Sequence, residues 1–79
     1  MQISIAVARR IKELCNKQDM SINKLAIMSG LTQSTLQSII SGKSHNPTIL
    51  TLVRVCDSLN IELKEFFDSE LFKDLDIEI

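Results

Sequence analysis

Apolar residues recur along the chain at helical spacing in five separate stretches. The first places Val7, Ile11, Leu14 and Cys15 on one stripe, which predicts a helix from an N-cap at Ser4 to about Lys17. Gln18-Asp19-Met20 is a connector. A second short helix follows Ser21, with Ile22, Leu25 and Ala26 facing inward, and a third follows Thr32, with Leu36, Ile39 and Ile40 inward. Ser21 and Thr32 are good caps, although neither has Glu or Gln three residues on to complete a capping box. Gly42 to Pro47 reads as an ordered loop. A fourth helix then follows Thr48, with Ile49, Leu52, Val53, Cys56 and Leu59 as its apolar face. Asn60 suits a left-handed stop, and a short fifth helix carries Leu63, Phe66 and Phe67. The expected architecture is all-α, compact and five-helical.

The junction between the second and third helices is the most informative segment. Ser29-Gly30-Leu31 breaks the pattern, with Gly30 where a helix ends in a left-handed residue; glycine adopts that conformation freely and most other residues at about 1 kcal/mol. Ala26 is small where the two helices would cross. Two short helices joined in this way make a helix-turn-helix, the device that lays its second helix in the major groove of DNA.

Polarity sharpens that expectation. From Leu25 to Gly42 eighteen residues carry no charge, yet eight of them are Ser, Thr or Gln, which is too polar for a membrane span. On the third helix the apolar residues take one face and leave Gln33, Ser34, Thr35, Gln37, Ser38 and Ser41 for the rest. Exposed helix faces usually carry Lys and Glu. Amides and hydroxyls are instead the groups that hydrogen-bond base edges, Gln pairing with adenine and Ser or Thr with several partners.

A formal charge of −1 over 79 residues argues weakly against a nucleic-acid partner, but it averages two unlike halves. Residues 1–54 hold seven Lys or Arg against Glu13 and Asp19, a balance of +5. Residues 55–79 hold two lysines against eight acids, a balance of −6. A basic lobe can grip phosphate while the acidic lobe faces away. No acid lies between Asp19 and Asp57, so the helix starts in that stretch keep their N–H groups free of carboxylates.

Other chemistry finds little support. The two cysteines, Cys15 and Cys56, sit on apolar faces and read as buried thiols rather than a disulfide framework. His45 is the lone histidine and has no regularly spaced partners, so no metal site is expected. No nucleophile–base pair or glycine-rich phosphate loop suggests catalysis or a cofactor. Arg9, Arg10 and Lys12 interrupt the N-terminal apolar run before a signal peptide could form, and a cytoplasmic location is expected.

Several separated motifs agree in register: Ile-Lys-Glu-Leu in the first helix, the helix-turn-helix, Ser-Gly-Lys, Asn-Pro-Thr, Leu-Xaa-Xaa-Val-Cys, Leu-Asn-Ile and Phe-Phe. Over residues 5–67 they resemble the Cro/CI (XRE) family of bacterial and phage transcriptional regulators. The resemblance implies a lambda-repressor-like five-helix domain that binds operator DNA, generally as a dimer. It further implies that Thr32, Gln33, Ser34, Thr35 and Ser38 approach base edges or adjacent phosphates. Ser21, Gln37, Lys43, Ser44, His45 and Asn46 would lie near the backbone. Many members place a buried Arg–Glu pair where this chain has Cys15 and Ile40; both partners have become apolar together, and these two residues are expected to be buried in contact. With His45 and Asn46 in place of repeated Lys or Arg, the loop's phosphate grip is modest.

The last segment, 68–79, carries five acids together with Leu71, Phe72, Leu75, Ile77 and Ile79. Its end alternates with strand period, as do Ile3 and Ile5 near the other end. A dimerisation or capping element is expected, beside a DNA-binding domain at 1–67. The function expected is sequence-specific double-stranded DNA binding by a repressor, as a homodimer, with no membrane or small-molecule partner. The alternatives are the DNA-binding antitoxin of a toxin–antitoxin pair and a protein-interaction bundle that does not bind DNA.

Overall fold

The computed structural model describes residues 1–44 and 46–77; the readings made of His45, Glu78 and Ile79 lie outside them. Five α-helices follow in order: α1 (Ile3–Lys17), α2 (Ile22–Ser29), α3 (Gln33–Ile40), α4 (Ile49–Ser58) and α5 (Leu63–Phe67). A 3-10 turn at Glu70–Phe72 is the last regular element among the described residues. The all-α, five-helix architecture expected from the periodicity is present, with α2 and α3 as the helix-turn-helix.

Local chemistry sets the boundaries. The Ser21 hydroxyl accepts the Lys24 N–H at 3.1 Å, and Thr32 and Thr48 accept the N–H groups of Thr35 and Thr51 at 3.1 Å each. Each bond satisfies one of the donors that a helix start leaves unpaired. Gly30 ends α2 at φ +70°, letting the Leu31 N–H return to the Ala26 carbonyl at 3.1 Å. Asn60 takes φ +57° after α4, as its short polar side chain permits.

The core is one cluster in which α1, α2, α3 and α4 meet over Phe66 of α5. Ile11, Leu25, Leu36, Val55 and Phe66 are wholly buried. Cys15 and Ile40 are both buried in that same cluster, 3% and 9% exposed. One charge enters it. Arg10 donates from Nε to the Phe66 carbonyl at 2.8 Å and from Nη2 to the Glu65 carbonyl at 2.8 Å, and pairs with Glu13. It thereby ties α1 to the end of α5, where the Glu65 carbonyl also accepts the Asp68 N–H at 3.2 Å. Nothing in the periodicity points to this role.

Three details differ from the sequence reading. Helix α1 begins two residues earlier: Gln2 stands at its N-cap position without a side-chain bond, and Ser4 is buried inside the first turn. Met1 is held there by Asp76, which pairs with its ammonium at 3.1 Å and donates its backbone N–H to the Met1 carbonyl at 3.0 Å. Helix α4 is rotated relative to the expected stripe. Its buried set is Leu52, Val55, Cys56 and Leu59, a clean i, i+3, i+4, i+7 pattern, while Ile49 and Val53 face outward. The alternating termini form no strand among the described residues. Ile3 and Ile5 lie in α1, and the tail instead turns so that Phe72 meets Phe66 and Phe67, at centroid distances of 5.9 and 4.9 Å. Phe67 itself is 36% exposed rather than core.

A Cβ on Gly30 would meet nothing within 4 Å, so the obstacle to substitution is the positive φ alone. Gly30→Val is expected to lower stability by about 1–3 kcal/mol in urea unfolding, with Gly30→Asn losing much less. Burial pushes the Cys15 and Cys56 thiols above their ordinary 9.0, and the charge of Glu65 raises Cys56 further. The unfolded chain therefore ionises its thiols first, and stability that is complete below about pH 9 falls as the pH rises through and beyond that value. Unfolding compared at pH 8 and pH 10 is expected to show that fall, reduced in the Cys15→Ala/Cys56→Ala variant.

Candidate nucleic-acid interface

Helix α3 buries Leu36, Ile39 and Ile40 and leaves its remaining faces to solvent. Thr32, Gln33, Ser34, Thr35 and Gln37 are exposed and Ser38 is half-buried. Thr32 does more than cap: its hydroxyl also donates to the Thr35 hydroxyl at 2.9 Å, so a neutral pair of hydroxyls stands where a capping box would place a carboxylate. Thr48 and Thr51 repeat this pairing at the start of α4, 3.0 Å apart. The first turns of α2, α3 and α4 contain no acid.

The far end of α3 is shaped by its exit. Gly42 at φ +78° bends the chain back, and the N–H groups of Lys43 and Ser44 both reach the Ser38 carbonyl at 3.1 Å. This return brings Lys43 beside Ser34, Gln37, Ser38 and Ser41, and the five residues line one shallow polar hollow. Lys43 makes no ion pair among the described residues, so its ammonium is the one charge in a hollow of amide and hydroxyl groups.

Thr32, Gln33 and Thr35 lie on α3 outside that hollow, and three further sequence-derived candidates, Ser21, Ser44 and Asn46, lie off α3 altogether. Ser21 borders a second one, with Gln18, Asp19, Met20 and Lys24. Ser44 is half-buried, and Asn46 is exposed but stands on the wall of an apolar groove with Ile3, Pro47 and Ile49. The candidates on α3 thus form a polar strip with the Lys43 cation at its end, while Ser21, Ser44 and Asn46 lie off it. Ser41 and Lys24 join these hollows without having been singled out as site residues. Ser34, Gln37, Ser38 and Ser41 are spaced as one helical edge, which signalled Ser41; Lys24, three residues past a cap, gave no comparable sign.

The strip offers donors and acceptors on a rigid convex helix, no enclosed cavity at its centre and, among the described residues, no cluster of metal-ligating side chains. No helix of the described chain is long and apolar enough to cross a membrane.

Comparison with known proteins agrees with this geometry. Residues 10–70 match the family model for the Cro/C1-type HTH DNA-binding domain. The HTH-type transcriptional regulator SlrR of Bacillus subtilis (strain 168) is 38% identical over 64 residues, which are 81% of this chain but 42% of SlrR. The chain thus spans less than half the length of that relative. Among solved structures, the prophage Lp1 protein 11 superposes with a TM-score of 0.83 at 34% identity, over 95% of this chain and all of the other. SinR, a master regulator for biofilm formation solved in complex with DNA, superposes with a TM-score of 0.71 at 29% identity, over 78% and 98%. Its helix-turn-helix, five-helix core and matched sequence place the chain in the Cro/C1-type (XRE) family of helix-turn-helix DNA-binding regulators.

Proposed function

We propose that this chain is a sequence-specific, double-stranded DNA-binding transcriptional repressor that lays α3 in the major groove of its operator. The observation that carries the reading is the exposed face of α3. Gln33, Ser34, Thr35 and Gln37, exposed, and Ser38, half-buried, offer hydrogen bonds without charge on a helix whose apolar residues are turned inward. Gln33, in the first turn, is the residue of choice for a bidentate contact with adenine. Thr32, Thr35 and Ser34 serve nearby base edges or phosphates. Lys43 with Gln37, and Ser21 with Ser44, His45 and Asn46, serve the sugar-phosphate backbone and fix the register.

One such helix reads too few base pairs to find an operator among the competing sites of a genome. The reading therefore includes a homodimer with recognition helices about 34 Å apart on one face of the duplex, each contacting one half of a palindrome. Repression follows in this scheme from occupancy, since a small domain seated on promoter DNA excludes other proteins from it. The SinR–DNA complex supports DNA as the partner.

Selection of bound genomic fragments supplies the operator for two measurements. Gln33→Ala is expected to weaken binding to the selected operator by about 1–3 kcal/mol and to leave binding to random DNA nearly unchanged. Equal losses on both would move Gln33 from base reading to backbone contact. Lys43→Ala is expected to weaken binding to all sequences alike and to flatten the salt dependence by about one unit of log–log slope. A selection that enriches no sequence would reject the functional reading.

A further inference from the structure

Three polar side chains are buried among the described residues: Ser4, Arg10 and Ser29. Two of them are answered inside the protein. Arg10 bonds to the Glu65 and Phe66 carbonyls and to Glu13, and Ser29 donates its hydroxyl to the Leu25 carbonyl at 2.6 Å. Ser4 is different. It is 3% exposed in the first turn of α1, yet its hydroxyl bonds to no described residue. A serine within a helix usually returns its hydroxyl to a carbonyl one turn back, as Ser58 does to Arg54 at 3.0 Å. One turn back from Ser4, the Met1 carbonyl accepts the Asp76 N–H instead.

A polar atom without a partner is costly when it is sealed away from solvent. No described side-chain nitrogen or oxygen is both sealed and unpartnered. The Ser4 hydroxyl therefore keeps an opening, and the space that Ser4 borders is a groove of about 190 Å³. A patch of apolar side chains from α1, α4 and α5 surrounds it. Val7 and Leu52, 2% and 4% exposed, lie at its floor, while Ile3, Ile49 and Phe67 stand at its more exposed rim. No charged side chain lines it.

We infer that this groove binds a small neutral aromatic molecule carrying one hydroxyl, of the class of a phenol, with Ser4 as its hydrogen-bond partner. Size sets the first limit. Pockets for drug-sized ligands run to about 300–1,000 Å³, whereas a cavity of about 150 Å³ lined by Leu, Ile and Phe already takes benzene. One ring therefore fits. Charge sets the second: with no ion in the lining, a carboxylate or an ammonium would give up its hydration for nothing. Phe67, 36% exposed at the rim, favours a ring over an aliphatic chain of equal area, because two rings gain from edge-to-face contact. The Ser4 hydroxyl can both donate and accept, so it matches a ligand hydroxyl in either sense.

The site is separate from the polar strip, since no residue of α3 lines it. It also departs from the expectation of no small-molecule partner. Its walls come from α1, the connection before α4, α4 and α5, between positions 3 and 67, and only packing brings those together.

The test is methyl NMR titration of the full chain with phenol, toluene and benzoate as probes. Phenol is expected to saturate one site per chain and to shift the methyl signals of Ile3, Val7, Ile49 and Leu52, leaving Ile27 on α2 unmoved. Benzoate is expected not to saturate. Ser4→Ala removes a hydroxyl that has no partner and supplies a better helix former, so thermal unfolding should stay at or above that of wild type. It is expected to weaken phenol about three- to tenfold and to leave toluene, which has the ring but no hydroxyl, unchanged or tighter. Ser4→Leu, which fills the groove, should lose both. Phenol that causes no saturable shift at those four residues would overturn the site. Equal losses of phenol and toluene in Ser4→Ala, or benzoate binding as tightly as phenol, would overturn the ligand class. A phenol midpoint that rises with protein concentration would assign the groove to a contact between copies and overturn the proposal as well.

Discussion

Five helices of five to fifteen residues hold their shape here because they share one core, since isolated helices shorter than about 12–15 residues are marginal in water. There is no disulfide to help: both cysteines are free and buried. Every helix must therefore turn one face toward the cluster around Ile11, Leu25, Leu36, Val55 and Phe66, and that demand decides which faces remain outside. The outward face of α3 is outward because Leu36, Ile39 and Ile40 are committed inward. The short elements can carry a rigid polar strip only because the core holds them in place.

The same demand explains how charge is used. Arg10 is buried but each of its three guanidinium nitrogens donates a hydrogen bond, two to the Glu65 and Phe66 carbonyls of α5 and one to Glu13, so the core accepts it without an unpaired charge. The starts of α2, α3 and α4, by contrast, are capped by neutral hydroxyls. Carboxylates would stabilise those helices slightly better. Their absence across residues 20–56 leaves the N–H groups at these helix starts without a competing carboxylate in their own first turns.

The polar strip on α3 and the apolar patch on α1, α4 and α5 meet at the 42–50 segment. One edge of that segment carries Lys43 into the polar hollow, and the other places Pro47 and Ile49 on the apolar groove. Gly42 makes the junction possible, because its positive φ lets the chain turn back under α3 without strain. The two sides of this short connection thus carry different chemistry.

Much of this was legible in the sequence. Helical periodicity, Ser21, Thr32 and Thr48 as caps, and Gly30, Gly42 and Asn60 as stops fixed the number, order and limits of the inner helices. Those signals act within a few residues, where steric and hydrogen-bonding preferences are local. The composition of α3 also showed which residues were candidates for a DNA-facing strip. Tertiary packing decided the rest. It chose the 52, 55, 56, 59 stripe of α4 over one that included Ile49 and Val53, although both are apolar stripes at helical spacing, and so left an apolar face outside. It placed Arg10 against the end of α5, 55 and 56 residues away, a contact no local pattern encodes. It also placed a 3-10 turn at Glu70–Phe72, ahead of the alternating residues, where Phe72 packs on Phe66 and Phe67. Local preference determines where a helix starts and stops; which of its faces is buried, and against what, is settled only when all five compete for one core.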